Sequence, residues 1–145
     1  MPLGQAYPQN LSEDPAARVR ALAYGLRQAM LSRRDGARLV AGTESFHANT
    51  LRMAETLAST VQELGADDTT SIRALWNIQY LVLGLAQEEQ AAQTQPSPSA
   101  EDFADLDYPT LKRLGSRLVE EPFDERLNFG LEAILSAVRQ GSHSA

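Results

Sequence analysis

Apolar residues recur three and four positions apart along most of this chain, and no run alternates convincingly between apolar and polar. The pattern predicts helices and no sheet. Asp14-Pro15 offers a cap followed by proline at a first helical position. Val19, Leu22, Leu26 and Met30 then share one face of a helix that ends near Ser32. A short second helix fits residues 36–41. Ser45 can cap a third, whose apolar side carries Phe46, Met53, Leu57, Val61 and Leu64 and which Gly65 closes.

The fourth segment departs from simple amphipathicity. After the capping run Asp67-Asp68-Thr69-Thr70, the residues Ile72, Leu75, Trp76, Ile78, Tyr80, Leu81, Val82, Leu83 and Leu85 cover most of a helix circumference. A helix that is apolar nearly all round has to be covered on more than one side, and a chain of 145 residues has little else to cover it with. A second copy of the chain is the expected source. The stretch TQPSPSAEDFADLD then reads as a flexible loop over about 94–106. Asp107 and Pro109 start a fifth helix with Leu111, Leu114 and Leu118. Pro122 ends it and opens a sixth, with Leu127, Gly130, Leu131, Ile134, Leu135 and Val138, that Gly141 terminates. Gly130 lies in mid-helix, at a cost of up to ~1 kcal/mol relative to alanine, which implies that a neighbouring backbone approaches there. The expectation is one all-α domain of about six helices over 15–140, with flexible ends at 1–14 and 141–145.

Composition narrows the chemistry. Hydrophobic residues make up 43% and aromatics only 6%, so the core is mainly aliphatic. With no cysteine, disulfides, thiolate metal sites and cysteine nucleophiles are excluded, and a cytoplasmic, reducing setting fits. No stretch is apolar over the ~18 residues that a membrane span needs, and the amino terminus lacks the basic and apolar regions of a signal peptide. The net charge of −6 is the wrong sign for gripping a phosphate backbone, so no specific DNA binding by this chain alone is expected.

Motifs for catalysis are absent: there is no GxSxG, P-loop or GxGxxG, and the chain is not expected to be an enzyme. Glu44 and His47 stand in an E-x-x-H spacing that places both on one helical face. The other histidine, His143, lies in the tail, so the ligand count is too low for a metal centre, and a capping glutamate beside a surface histidine is the better reading. Glu88-Glu89 reads as the solvated end of a helix. Trp76 and Tyr80, four apart on one face, read first as packing residues.

Several stretches in combination resemble the regulatory domain of the tetracycline-repressor (TetR) family. "LRQAMLSRRDGARLVAGT" (26–43) looks like the family's helix running into an "RDGA" connector and a "GT" turn. "LGLAQEEQ" (83–90) is similar to the end of its long helix, and "YPTLKRL" (108–114) with "FGLEAIL" (129–135) to its last two helices. The resemblance covers roughly 15–140. It implies a homodimer that senses a small-molecule effector and meets DNA only through a helix-turn-helix domain, which nothing ahead of Pro15 could form. In the family, the region resembling 40–45 lies beside the drug and shifts on binding, so the connector "SRRDGARLVAGT" is expected to be a ligand-sensing hinge. Gly36 and Gly42 suit that role because glycine tolerates backbone change.

Departures from the family pattern alter the expected ligand. The family's magnesium-binding histidine falls at Val40, its asparagine and phenylalanine drug contacts at Leu22 and Leu26, and a further histidine at Tyr80. The Arg-Pro that follows the "GT" turn is replaced by Glu44-Ser45. No metal and no cofactor are therefore expected, and the effector should be hydrophobic. The expected pocket is lined by Leu22, Leu26, Val40, Thr43, Met53, Thr56, Trp76, Tyr80 and Leu118, with Glu88 of the other subunit at its mouth. The expected dimer interface is a four-helix bundle using Leu75, Ile78, Leu83, Leu127, Leu131, Ile134 and Val138. The alternative is a stand-alone helical protein that dimerises and binds no small molecule.

Overall fold

The computed structural model describes residues 10–32 and 48–142, and among them all regular secondary structure is helical, without a strand. Four long helices build the body: α1 (Pro15–Leu31), α2 (Ala48–Glu63), α3 (Asp68–Ala92) and α7 (Phe123–Gly141). Between the last two lie three short helices, α4 (Glu101–Ala104), α5 (Pro109–Leu114) and α6 (Arg117–Glu120). The expected short helix at 36–41 and the cap at Ser45 lie outside the described residues.

The predicted start signals operate as their chemistry demands. The Asp14 side chain accepts from the Ala17 N–H at 3.0 Å, with Pro15 at the first helical position. Asp67 accepts from the Thr70 N–H at 2.7 Å. Hydrogen bonds from the Thr70 backbone and hydroxyl hold the Asp67 carboxyl below the usual carboxylate range. Gly65, at φ +101°, makes the turn out of α2. A Cβ there would also stand 2.7 Å from that of Ser142, so both backbone and space require glycine.

The long helix α3 is the centre of the body, in contact with α1, α2 and α7. Its buried stripe, Ser71, Ala74, Ile78, Val82, Leu85 and Ala86, joins Val19, Leu22 and Met30 of α1, Met53, Leu57 and Val61 of α2, and Leu127, Leu131, Leu135 and Val138 of α7 in one core. Gly130 is where α7 meets α3, and the neighbour is a side chain rather than the expected backbone. An added Cβ would stand 2.5 Å from Leu81 Cδ2.

Polar ties fix how α1 lies on its neighbours. Tyr24 donates to Asn128 at 2.7 Å and Arg20 Nε to Glu132 at 2.7 Å, both across to α7. Arg27 is buried, 5% exposed, and its guanidinium meets Glu89 of α3, from Nε at 2.9 Å and Nη2 at 3.1 Å, and also Asp124 of α7. Burial alone would lower its pKa, but the hydrogen bonds and charges of the two carboxylates prevail and raise it. Gln90 donates to the Met30 carbonyl at 2.9 Å, pinning the last turn of α1 to α3.

The expected fifth helix is broken. Gly115, at φ +52°, separates α5 from α6, so Leu111, Leu114 and Leu118 do not form one apolar stripe. The segment from α4 to α6 makes an arm whose side chains are mostly exposed, Tyr108 at 62%, Leu118 at 48% and Leu111 at 38% among them.

Leu131→Ala should cost about 2–5 kcal/mol in urea unfolding, since it empties a fully buried site. Arg27→Ala should cost roughly 3 kcal/mol, the low end for breaking a buried ion pair, because Glu89 and Asp124 keep some water when the guanidinium goes. Asp67 contributes stability that is complete above its ordinary pKa of 3.8 and is lost as the pH falls through its lower folded value. Asp67→Asn, still a cap but uncharged, should flatten that part of the acid limb in pH-dependent denaturation.

Candidate functional site

Two regions draw on the expected functional residues. The first lies between α1 and α2. Leu22 and Met53 belong to the buried core there, and Leu26, one turn beyond Leu22, is half-buried against it. Thr56 is half-buried on α2 and its hydroxyl donates to the Arg52 carbonyl at 2.9 Å. Thr60, one turn on and only 1% exposed, donates to the Thr56 carbonyl at 2.6 Å. This is an apolar wall with hydroxyls turned toward their own helix, the make-up of a surface that packs against hydrocarbon. Val40 and Thr43, the expected hinge contacts, lie outside the described residues.

The remaining expected pocket residues sit elsewhere. Trp76 and Tyr80 are on the far side of α3 from its buried stripe, 47% and 61% exposed, with their rings stacked at 5.7 Å between centroids. Leu118 is on the arm, beside a notch of about 440 Å³ lined by Leu114, Arg117, Leu118, Glu121 and Arg126. Glu88 stands near the end of α3, paired with Arg126 of its own chain at 3.4 Å. The single chain thus brings Leu22, Leu26 and Met53 into one core, with Thr56 half-buried on α2, and leaves Trp76, Tyr80, Glu88 and Leu118 outside that group.

The second region is the outer face of α3 and α7. Ile72, Trp76 and Tyr80 run along α3 at i, i+4 and i+8, and Phe129 of α7 is 80% exposed. A groove of about 420 Å³ runs between the two helices, lined by Thr70, Arg73, Ala74 and Asn77 on one side and Ala133, Ile134, Ala137 and Val138 on the other. At Gly84, farther along α3, a Cβ would meet nothing within 4 Å in its own chain. Large exposed apolar side chains grouped in this way mark a surface that associates with another.

Of the seven residues expected to face a partner, Ile78, Leu127, Leu131 and Val138 face the interior of their own chain, each at most 1% exposed. The physical reason is that α1 and α2 cover the inner side of α3, and α7 packs its own inner side on α3 and α1, which takes the most regular aliphatic stripe of both helices. Leu75, Leu83 and Ile134 are half-buried beside that core and keep part of their surface outward. Sequence reasoning passed over Ile72 and Phe129 as surface contacts, and Arg27 altogether. The signal for Arg27 was present: it follows Ala23 by four positions and precedes Met30 by three, on the stripe that α1 buries. The pair Glu88-Glu89 is no plain solvated helix end either, since each carboxylate holds an arginine of a different helix.

No functionally curated protein matches the chain. Solved structures do. A possible TetR family transcriptional regulator from Streptomyces coelicolor A3(2) is 34% identical, with 95% of this chain and 71% of that one covered and a TM-score of 0.78. Apo ActR from Streptomyces coelicolor shares the fold at 20% identity and a TM-score of 0.81, with 98% of this chain and 70% of that one covered. A TetR variant from Acinetobacter baumannii AYE, in complex with minocycline, is 27% identical over 97% of this chain and 66% of that one, at a TM-score of 0.68. The family model for the tetracyclin repressor-like C-terminal domain matches residues 7–141, and with the helical body just described it shows that the chain belongs to the TetR family of transcriptional regulators, as its C-terminal domain.

Proposed function

We propose that this chain is the effector-sensing and dimerising part of a TetR-type regulator, and that its effector is a small hydrophobic molecule bound without a metal. The observation that carries the reading is the apolar wall of Leu22, Leu26 and Met53 on α1 and α2, with Leu22 standing where the resemblance to the tetracycline repressors leads one to expect an asparagine drug contact. The related Acinetobacter protein in complex with minocycline supports a small-molecule ligand in this fold. Leu22 and Leu26 would form one wall, and Met53 and Thr56 the other. DNA would be contacted through a helix-turn-helix domain, not through this acidic chain.

Two copies would pair through the outer faces of α3 and α7. Tyr80, Gly84, Phe129 and Ala133 would lie at the contact, with the outward parts of Leu75, Leu83 and Ile134 at its edge. Gly84 supports this: a glycine costs α3 up to ~1 kcal/mol of helix stability relative to alanine, nothing in its own chain needs the space, and a partner helix would. In that assembly Trp76, Tyr80, Glu88 and the arm residue Leu118 would come within reach of the second subunit.

Leu26→Asn should abolish the thermal shift that the wild-type protein shows with an apolar aromatic probe, while leaving its sedimentation unchanged. A wild-type protein that shows no shift across a hydrophobic ligand library, and no co-purified small molecule in native mass spectrometry, would leave only the dimerising role. Phe129→Asp or Gly84→Leu should convert the dimer to monomer in sedimentation, with the helical circular dichroism retained. A dimer that survives both substitutions would move the interface off this face.

A further inference from the structure

Glu88 and Glu89, adjacent near the end of α3, hold two different arginines. Glu89 accepts from Arg27 of α1 at 2.9 and 3.1 Å, and Glu88 pairs with Arg126 of α7 at 3.4 Å. The start of α7 is divided in the same way. Asp124 takes the remaining arm of the Arg27 guanidinium. Arg126, two residues on, donates from Nε to the Glu121 carbonyl at 3.0 Å and from Nη2 to the Val119 carbonyl at 3.3 Å, with its guanidinium 4.6 Å from the Phe123 ring centroid. Val119 and Glu121 stand at the end of the 101–121 arm. The end of α3 and the first turn of α7 therefore both hold Arg27 of α1, and Arg126, braced by Glu88, links that same turn of α7 to the end of the arm.

We propose that this junction couples the C-terminal end of α1 to the arm, so that a displacement of either is felt by the other. Burial makes the α1 side obligatory. The Arg27 side chain is 6% exposed, and a guanidinium in such a place cannot give up its carboxylates without leaving charge uncompensated. A shift of the last turn of α1 must then carry Glu89 and Asp124 with it or break away from both. Those residues sit on the same helix ends as Glu88 and Arg126, and a helix end moves as a unit. On the arm side, the side chains from α4 through α6 are mostly exposed, so the carbonyl bonds of Arg126 have much of the task of fixing where the arm returns to the body. Arginine suits that task because its donors stand in a rigid planar fork, whereas a lysine ammonium is a compact charge on a flexible stem. The stretch "SRRDGARLVAGT" follows α1 directly in sequence, so the junction ties the arm to the point where that connector begins. Any link from the junction to an effector rests on the pocket proposed above, but the coupling itself does not need one and is tested without a ligand.

Hydrogen exchange read by mass spectrometry on the full chain tests it with two mild substitutions at exposed or half-exposed positions. Asp124→Asn acts on the α1 side, and Arg126→Lys on the arm side. The expected result is reciprocal: Asp124→Asn speeds exchange at residues 116–121, and Arg126→Lys speeds exchange at residues 28–32. Each change should be about fivefold, the lower end of coupling between linked sites, with amides 57–63 of α2 unchanged. The double variant should show less than the product of the two effects, as groups in one network do. Changes confined to the mutated side, a rise spread evenly into α2, or full additivity in the double variant would each overturn the proposal.

Discussion

Ser71, Ala74, Ile78, Val82, Leu85 and Ala86 form one buried stripe along α3, and α1, α2 and α7 all contact that helix. Small residues stand at both ends of the stripe and branched aliphatics in its middle. The alanines and the serine let neighbouring helices approach, while Ile78, Val82 and Leu85 fill the space between them. Burying each large side chain is worth ~1.5–3 kcal/mol, and the matching stripes of α1, α2 and α7 have no other place to go. The order of the four long helices follows from that constraint. Two consequences flow from it: the second, outward set of apolar residues on α3 is left without cover in the single chain, and the core faces of the other helices are already occupied.

Among the described residues, one charged group, Arg27, lies in this aliphatic interior. Its hydrogen bonds to Glu89 and Asp124 satisfy it, and they bind three helices at one point, near the end of α1. Hydrophobic burial is non-directional and so orients a helix less sharply than a bond with a fixed geometry. A bidentate ion pair has one good geometry and so fixes the register of α1 on α3 and α7. Together with Gln90 on the Met30 carbonyl, it ties the end of α1 to α3 and α7. The wall formed by Leu22 and Leu26 lies just before that fixed point.

The outer face and the arm follow a different logic. Ile72, Trp76, Tyr80 and Phe129 are exposed although each is large and apolar, and the arm carries Tyr108, Leu111 and Leu118 in the same condition. The open space at Gly84 lies on the same helix. A body held by α3 and an arm anchored at Arg126 leave both surfaces uncovered by their own chain. The membership in the TetR family and the apolar inner wall are two readings of the same arrangement, one by comparison and one by chemistry.

The sequence by itself determined the helical class, the position of the four long helices and most of their ends. These depend on neighbours three or four residues away: Asp14 and Asp67 cap because their carboxylates reach N–H groups three residues on, and Gly65 turns because only glycine takes that backbone readily. The family was legible too, since the quoted stretches carry it. Tertiary structure alone decided which face of an all-round apolar helix turns inward. Periodicity gives Ile78 and Tyr80 equal standing on α3, and only the presence of α1 and α2 on one side buries the first and exposes the second. It also decided that Leu127, Leu131 and Val138 fill their own core, that Leu81 is the neighbour Gly130 makes room for, and that Glu88 and Glu89 part company toward Arg126 and Arg27. Each of those depends on a partner far away in sequence, where no local spacing can register it.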